Sequence, residues 1–272
     1  MASNKNSIAN TLTVAIVLCL VCATVVCSAA VGLRTLQTKN KLLDRQANIL
    51  AAAGLMEDGT NVAETFEKRI EDHVIDLDTG DDVTDKVIEE FGSVANYDSI
   101  ELAESNNEEY SEPLVEDPAT IKRRENWAHV YIVKTSAENV KPIMYVFPIR
   151  GKGLWSILKG FIALDAKDMD TINGITYYAH QETPGLGGEV DNPIWKSHWV
   201  GKKLFQDGSV AIRLVKSPDW KDNPHEVDAL SGATITCRGV ERMLDFWMGN
   251  QGFEKYIDKI KTEDASAQAS IN

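Results

Sequence analysis

Residues 127–215 open with WAHVYIVK at Trp127 and carry five short apolar runs: 128–134 (AHVYIVK), 143–149 (IMYVFPI), 161–165 (FIALD), 175–180 (ITYYAH) and 210–215 (VAIRLV). Pro, Gly, Asn and Asp separate them. Between most neighbouring runs there is no long amphipathic pattern, so the chain has no crossover helices with which to build a doubly wound parallel sheet. A largely antiparallel sheet is expected. Residues 240–248 and 253–260 then read as closing helices. The fold class expected is α+β, with packed helices on the sheet.

Upstream of this region the chain divides by composition. Between Lys5 and Arg34 there is no charged residue, and 11–33 reads TLTVAIVLCLVCATVVCSAAVGL. That length crosses a hydrocarbon core of about 30 Å, so a single transmembrane helix is expected after a short tail at 1–10. A signal peptide is the alternative, with Ser28-Ala29-Ala30 as its small-residue site. Cys19, Cys22 and Cys27 lie inside the span and read as packing residues, which leaves Cys237 alone outside it. In 34–54, Leu36, Leu43, Ala47 and Leu50 recur at helical spacing and Gly54 follows, which predicts a stalk helix. Lys5 precedes the span whereas Arg34, Lys39, Lys41 and Arg45 follow it; by the positive-inside bias alone the large domain would stay in the cytoplasm.

Residues 55–126 form an acidic α/β segment expected to pack on the main domain at 127–261, with a strand-like stretch at 73–77 and a surface loop at 104–118. A small polar tail at 262–272 is expected to fray. Lys+Arg 28 against Asp+Glu 41 gives a net charge of −13, which repels phosphate backbones and disfavours nucleic acid as a partner. With 43% hydrophobic and 25% charged residues, the chain is neither disordered throughout nor polytopic.

Several motifs fail on inspection. The acidic run Asp76-Leu77-Asp78-Thr79-Gly80-Asp81-Asp82 has glycine and carboxylate at the wrong positions for a calcium loop and reads as a solvated turn. Gly151-Lys152-Gly153-Leu154-Trp155-Ser156 lacks the third glycine of a dinucleotide fingerprint and precedes a strand, not a helix. It leaves a turn presenting Leu154 and Trp155, either as core cover or as an apolar wall for a flat ring. His73, His129, His180, His198 and His225 show no zinc-binding spacing, so no metal site is expected. His180-Gln181-Glu182-Thr183 has no reactive serine or cysteine beside it and is no hydrolase signature.

The informative stretch is Asp228-Ala229-Leu230-Ser231-Gly232-Ala233-Thr234-Ile235-Thr236, running into a helical pattern. Small residues and hydroxyls at a helix start suit a bound phosphate, because free N–H groups point outward there. The same composition suits a helix cap through Thr234 or Thr236, and residue types alone do not separate the two.

Ser231-Gly232-Ala233-Thr234-Ile235-Thr236 resembles the flavinylation motif of the FMN-binding domain family, whose final threonine carries FMN as a phosphoester. Gly153-Leu154-Trp155 and Glu182-Thr183-Pro184-Gly185-Leu186-Gly187 precede it in the family's order, after one membrane helix. Length and the acidic segment are most similar to the C-subunit branch, from bacterial Na+-translocating NADH:quinone oxidoreductases; the G-type subunits of the Rnf electron-transport complex are the sibling branch.

The resemblance implies covalent FMN on Thr236, with Ser231, Gly232, Ala233 and Thr234 around the phosphate. It implies a loop of Glu182, Thr183, Gly185 and Leu186 beside the flavin, and Leu154 and Trp155 near its ring. No residue is assigned to catalysis proper or to a metal. A separate flavin transferase using FAD and a divalent metal would load the chain. The implied role is an electron relay in an inner-membrane complex, from a membrane iron–sulfur centre to the FMN of the B-type subunit, with the B-, D- and E-type subunits as neighbours and the flavin domain periplasmic. That placement opposes the charge count. A membrane-anchored assembly subunit without redox function is the alternative of another class.

Overall fold

The computed structural model describes residues 8–136, 139–219 and 222–269. The chain divides into two units, Met1–Asp44 and Arg45–Asn272. Helix α1 (Ile8–Ala52) is continuous, so the expected span and stalk are one 45-residue helix. It contains a window of mean hydropathy 2.8 and is, among the described residues, the one helix long and apolar enough to cross a membrane. Leu12, Ile16, Leu20 and Val25 on it are exposed, as a lipid-facing surface requires. Its last turn, at Ile49, Leu50 and Ala52, is buried instead, and Gly54 at φ +67° ends the run.

After α2 (Val62–Arg69), whose cap Asn61 accepts the Glu64 N–H, comes β1 (Ile70–Asp76). Helices α3 (Thr84–Phe91) and α4 (Ser99–Glu104) follow, then a small antiparallel pair, β2 (Ser111–Pro113) and β3 (Arg123–Glu125). The stretch expected as a plain loop at 104–118 therefore contains a strand. The long strands are β4 (Trp127–Ser136), β5 (Asn139–Lys152), β6 (Ile157–Asp165) and β7 (Ile172–Ala179).

The main sheet has the order β1-β4-β5-β6-β7 and every neighbouring pair is antiparallel. The acidic segment does more than pack on this sheet, because β1 forms its edge, with Ile70 opposite Val133 and Asp76 opposite Trp127. Both faces of the sheet are covered. On one, Leu158, Ile162 and Leu164 of β6 meet the closing helices; on the other, Phe161 and Ala163 meet Ile49, Leu50 and Ala52 of α1. Such double burial explains why residues 161–164 are apolar without alternation.

Beyond β7 lie α5 (Pro193–Ser197), the short hairpin β8 (Phe205–Gln206) and β9 (Ser209–Val210), and a parallel pair β10 (Arg213–Val215) and β11 (Glu226–Asp228). The last apolar run, at 210–215, thus stays outside the main sheet. Helices α6 (Thr234–Trp247) and α7 (Glu254–Ala269) close the unit. The stretch 262–269, expected to fray, continues α7, and Thr262 and Ser266 return their hydroxyls to carbonyls one turn back.

α6 lies close on β5. A side chain at Gly151 would stand 2.7 Å from the Met243 Cβ, and one at Gly239 would stand 2.3 Å from the Lys152 carbonyl oxygen. Trp247 Nε1 donates to the Arg150 carbonyl at 2.7 Å, while the Arg150 guanidinium pairs with buried Glu125. These contacts fix where α6 begins relative to the turn after β5.

Candidate functional site

Three separated pieces of chain converge at the start of α6. The first is the turn 152–156, closed by the Gly153 N–H on the Ser156 carbonyl, which presents exposed Leu154 and Trp155. Second is the loop 182–188, in which the Leu186 and Gly188 N–H groups both reach the Thr183 carbonyl and Gly185 takes φ +77°. The last is 230–236, where Gly232 at φ +74° turns the chain into the helix.

Together they enclose a cavity of about 250 Å³. Leu154, Glu182, Thr183, Leu186, Gly232, Ala233, Thr234 and Thr236 line it. Of the residues expected at the site, Ser231, Gly185 and Trp155 do not line the cavity, although Trp155 Nε1 donates to the Thr183 hydroxyl at 3.2 Å beside it. Gly187 and Ile235 line it without having been predicted. Both stand inside the two motifs, Ile235 at the variable position of one and Gly187 at the end of the other, and that adjacency was the signal available.

Helix α6 is capped at Ala233 with no side-chain hydrogen bond. Neither Thr234 nor Thr236 acts as its cap. Instead Thr236, 1% exposed, donates its hydroxyl to Glu182 Oε2 at 2.6 Å. The same carboxylate accepts the Trp155 N–H at 2.9 Å and the Leu154 N–H at 3.1 Å. Burial pushes the Glu182 carboxyl up; the hydrogen bonds from Thr236 and from the backbone of residues 154–156 outweigh this and hold it below the usual range. Its own N–H donates to His180 Nδ1, so His180 Nε2 carries the proton given to Asp191 at 2.7 Å.

Cys237, next to Thr236, is buried and turned away, its sulfur accepting the Leu230 N–H; burial pushes this thiol up, which suits a packing role. Lys202 is buried and its ammonium faces the Asn223 carbonyl, and neither Lys202 nor Arg238 lines the cavity.

The residues fit a flavin mononucleotide in two respects. First-turn N–H groups of α6 have no partner within the helix, and they open on the cavity beside a buried hydroxyl, which suits a phosphoryl group. Around them Leu154, Leu186 and Ile235 expose apolar surface that suits a flat ring. One feature opposes loose binding. Glu182 is the charged residue in the lining, and no Lys or Arg faces it there. A phosphate there would lie beside this carboxylate and be met by the backbone N–H groups at the start of α6.

A model of the FMN-binding domain family matches residues 153–249, which takes in the second and third pieces whole and the first from Gly153 onward. The chain is 42% identical over 262 residues to the C-type subunit of the Na(+)-translocating NADH-quinone reductase of Yersinia pestis, covering 95% of each chain. It is 44% identical to that of Vibrio campbellii, over 96% of this chain and 98% of the relative. Among solved structures, it resembles Shewanella oneidensis NqrC with a TM-score of 0.72 at 39% identity, over 80% of this chain and 96% of that one. The structure of the corresponding reductase subunit from Parabacteroides distasonis gives a TM-score of 0.62 at 25% identity, over 83% and 96%.

Proposed function

Because this chain belongs to the C-subunit family of the Na(+)-translocating NADH-quinone reductases, we propose that it is the covalent-FMN relay of that complex. The single observation that carries this reading is Thr236: a buried hydroxyl on the cavity wall, held by Glu182 and not spent on capping α6. When bound, FMN supplies one-electron chemistry that no side chain here provides. The chain's own part is positional. Gly232 and the first turn of α6 would receive the phosphoryl group, and Leu154, Leu186 and the neighbouring Trp155 would offer apolar surface to the ring.

In this reading a flavin transferase joins FMN from FAD to Thr236. Electrons arrive from a membrane iron–sulfur centre and leave for the FMN of the B-type subunit, with the D- and E-type subunits as further neighbours. α1 anchors the chain in the inner membrane, and the flavin domain faces the periplasm. The family argument is preferred to the positive-inside count because one helix packed among other subunits can override a weak charge bias.

The test is in-gel flavin fluorescence of the denatured mature chain, made beside an active transferase, against Thr236→Ala. A band in the natural chain alone is expected. A band in both moves the linkage to another residue. No band in either, with the transferase active on a second target, leaves the assembly-subunit reading.

A further inference from the structure

We propose that Glu182 takes the proton of Thr236 when the flavin phosphate is joined to it, so that this chain supplies the base for its own modification. The inference rests on the covalent reading above. A threonine hydroxyl is a weak nucleophile until its proton has an acceptor in reach. Here the acceptor is already in place: Glu182 Oε2 lies 2.6 Å from Thr236 Oγ1. Donors from Leu154 and Trp155 hold the carboxylate in that orientation. Gly153 and Gly187 close the space around it, since a side chain on either would stand 2.7 Å from a carboxylate oxygen.

The step balances without any redox change. The donor is a flavin dinucleotide, presented by the transferase. Thr236 Oγ1 bonds to the phosphorus on the FMN side, the pyrophosphate P–O bond breaks, AMP leaves as the anion, and the hydroxyl proton passes to Glu182 Oε2. Afterwards Oγ1 has no hydrogen to give, and a phosphodiester anion stands beside the carboxyl with no Lys or Arg in the lining. An ionised Glu182 would be repelled there, so it keeps the proton and turns from acceptor to donor.

Few titratable groups face Glu182. From its own strand end His180 accepts its N–H, with Asp191 behind; α6 offers the Thr236 hydroxyl, and the 154–155 turn offers backbone N–H groups. Cys237 on α6 is engaged with Leu230.

Full-length chain made without transferase, in detergent, is treated with purified transferase, FAD and Mg2+, and the gain of FMN is read by intact mass from about pH 6.5 to about pH 9. Ratios of variant to natural rate cancel the transferase's own pH profile. Glu182→Gln is expected to load about 100-fold more slowly near pH 7, with the deficit shrinking about tenfold per pH unit as hydroxide replaces the lost base. Glu182→Asp should recover part of the rate.

A Glu182→Gln rate at a constant fraction of natural across the range, or equal to it, overturns the proposal, as does a changed slope in His180→Gln alone. Infrared spectra of the natural chain give a readout that needs no variant to fold. A protonated-carboxyl band should appear on loading at neutral pH, and an unchanged carboxyl region overturns the proton's retention. A natural chain that never loads, beside a transferase active on another target, sinks the Thr236 reading itself.

Discussion

A methyl group at position 187 would stand 2.5 Å from Thr236 Oγ1 and 2.7 Å from Glu182 Oε2. Gly187→Ala must therefore part the two groups or shift the loop, at a cost of about 1–3 kcal/mol. Urea unfolding of the unloaded chain should show that loss, and flavin incorporation should fall with it. A variant that unfolds and loads like the natural chain would mean that the 182–188 loop does not hold Thr236. Acid sensitivity gives a second handle on the same pair. Since the fold holds the Glu182 carboxyl below its ordinary value, its stabilisation is full above about pH 4.5 and is lost as pH falls through the lower folded value. Glu182→Gln should flatten that part of the acid-unfolding curve of the unloaded chain. At this scale the motifs were legible as residue types, Thr236 and Glu182 among them. Their partnership was not, because 54 positions separate them and only the sheet and α6 bring them together.

At the scale of elements, the site depends on how closely α6 sits on the end of β5. Gly239→Ala would place a methyl group 2.3 Å from the Lys152 carbonyl oxygen, on the strand that leads into the Leu154 turn. The helix must move, and Thr236 sits within one turn of that contact. A loss of about 1–3 kcal/mol is expected in thermal or urea unfolding, together with reduced covalent flavin. Undiminished loading would show that the helix start tolerates displacement. The strands β4 to β7 were readable from apolar runs and their punctuation. For the start of α6 two signals differed: apolar spacing began the helix at Val240, whereas the small and hydroxyl residues marked a helix start near Thr234 to Thr236, and the helix begins at Thr234, because packing overrides the weak helix propensity of Thr234, Ile235, Thr236 and Gly239. In α7 the reverse held. Residues 262–269 lack an apolar stripe, yet their Ala, Glu and Gln content extends the helix to Ala269.

For the whole molecule, the boundary that matters falls inside α1. Composition divides this region at residue 33 and again at 54, whereas the compact unit begins at Arg45. Arg45 Nη2 donates to the Tyr131 hydroxyl at 2.7 Å, Thr176 donates to the Asn48 carbonyl at 3.1 Å, and Ile49 and Leu50 are fully buried against the sheet. The Ala52 carbonyl approaches Gly174 so closely that a side chain there would stand 2.3 Å away. A chain beginning at Arg45 keeps all of these contacts. One beginning at Leu55 uncovers Val146, Phe161 and Ala163 and loses the burial of Ile49 and Leu50, about 3–6 kcal/mol at ordinary transfer values. Set against a typical domain stability of about 5–15 kcal/mol, that loss is a large share of the margin. Urea midpoints of the two truncations should differ accordingly, with the shorter one unfolding at clearly lower urea and losing near-ultraviolet circular dichroism and flavin loading earlier than the longer one. Equal midpoints would mean that the end of α1 merely covers the sheet; the expected gap would make the same helix both the membrane anchor and a structural part of the domain it carries.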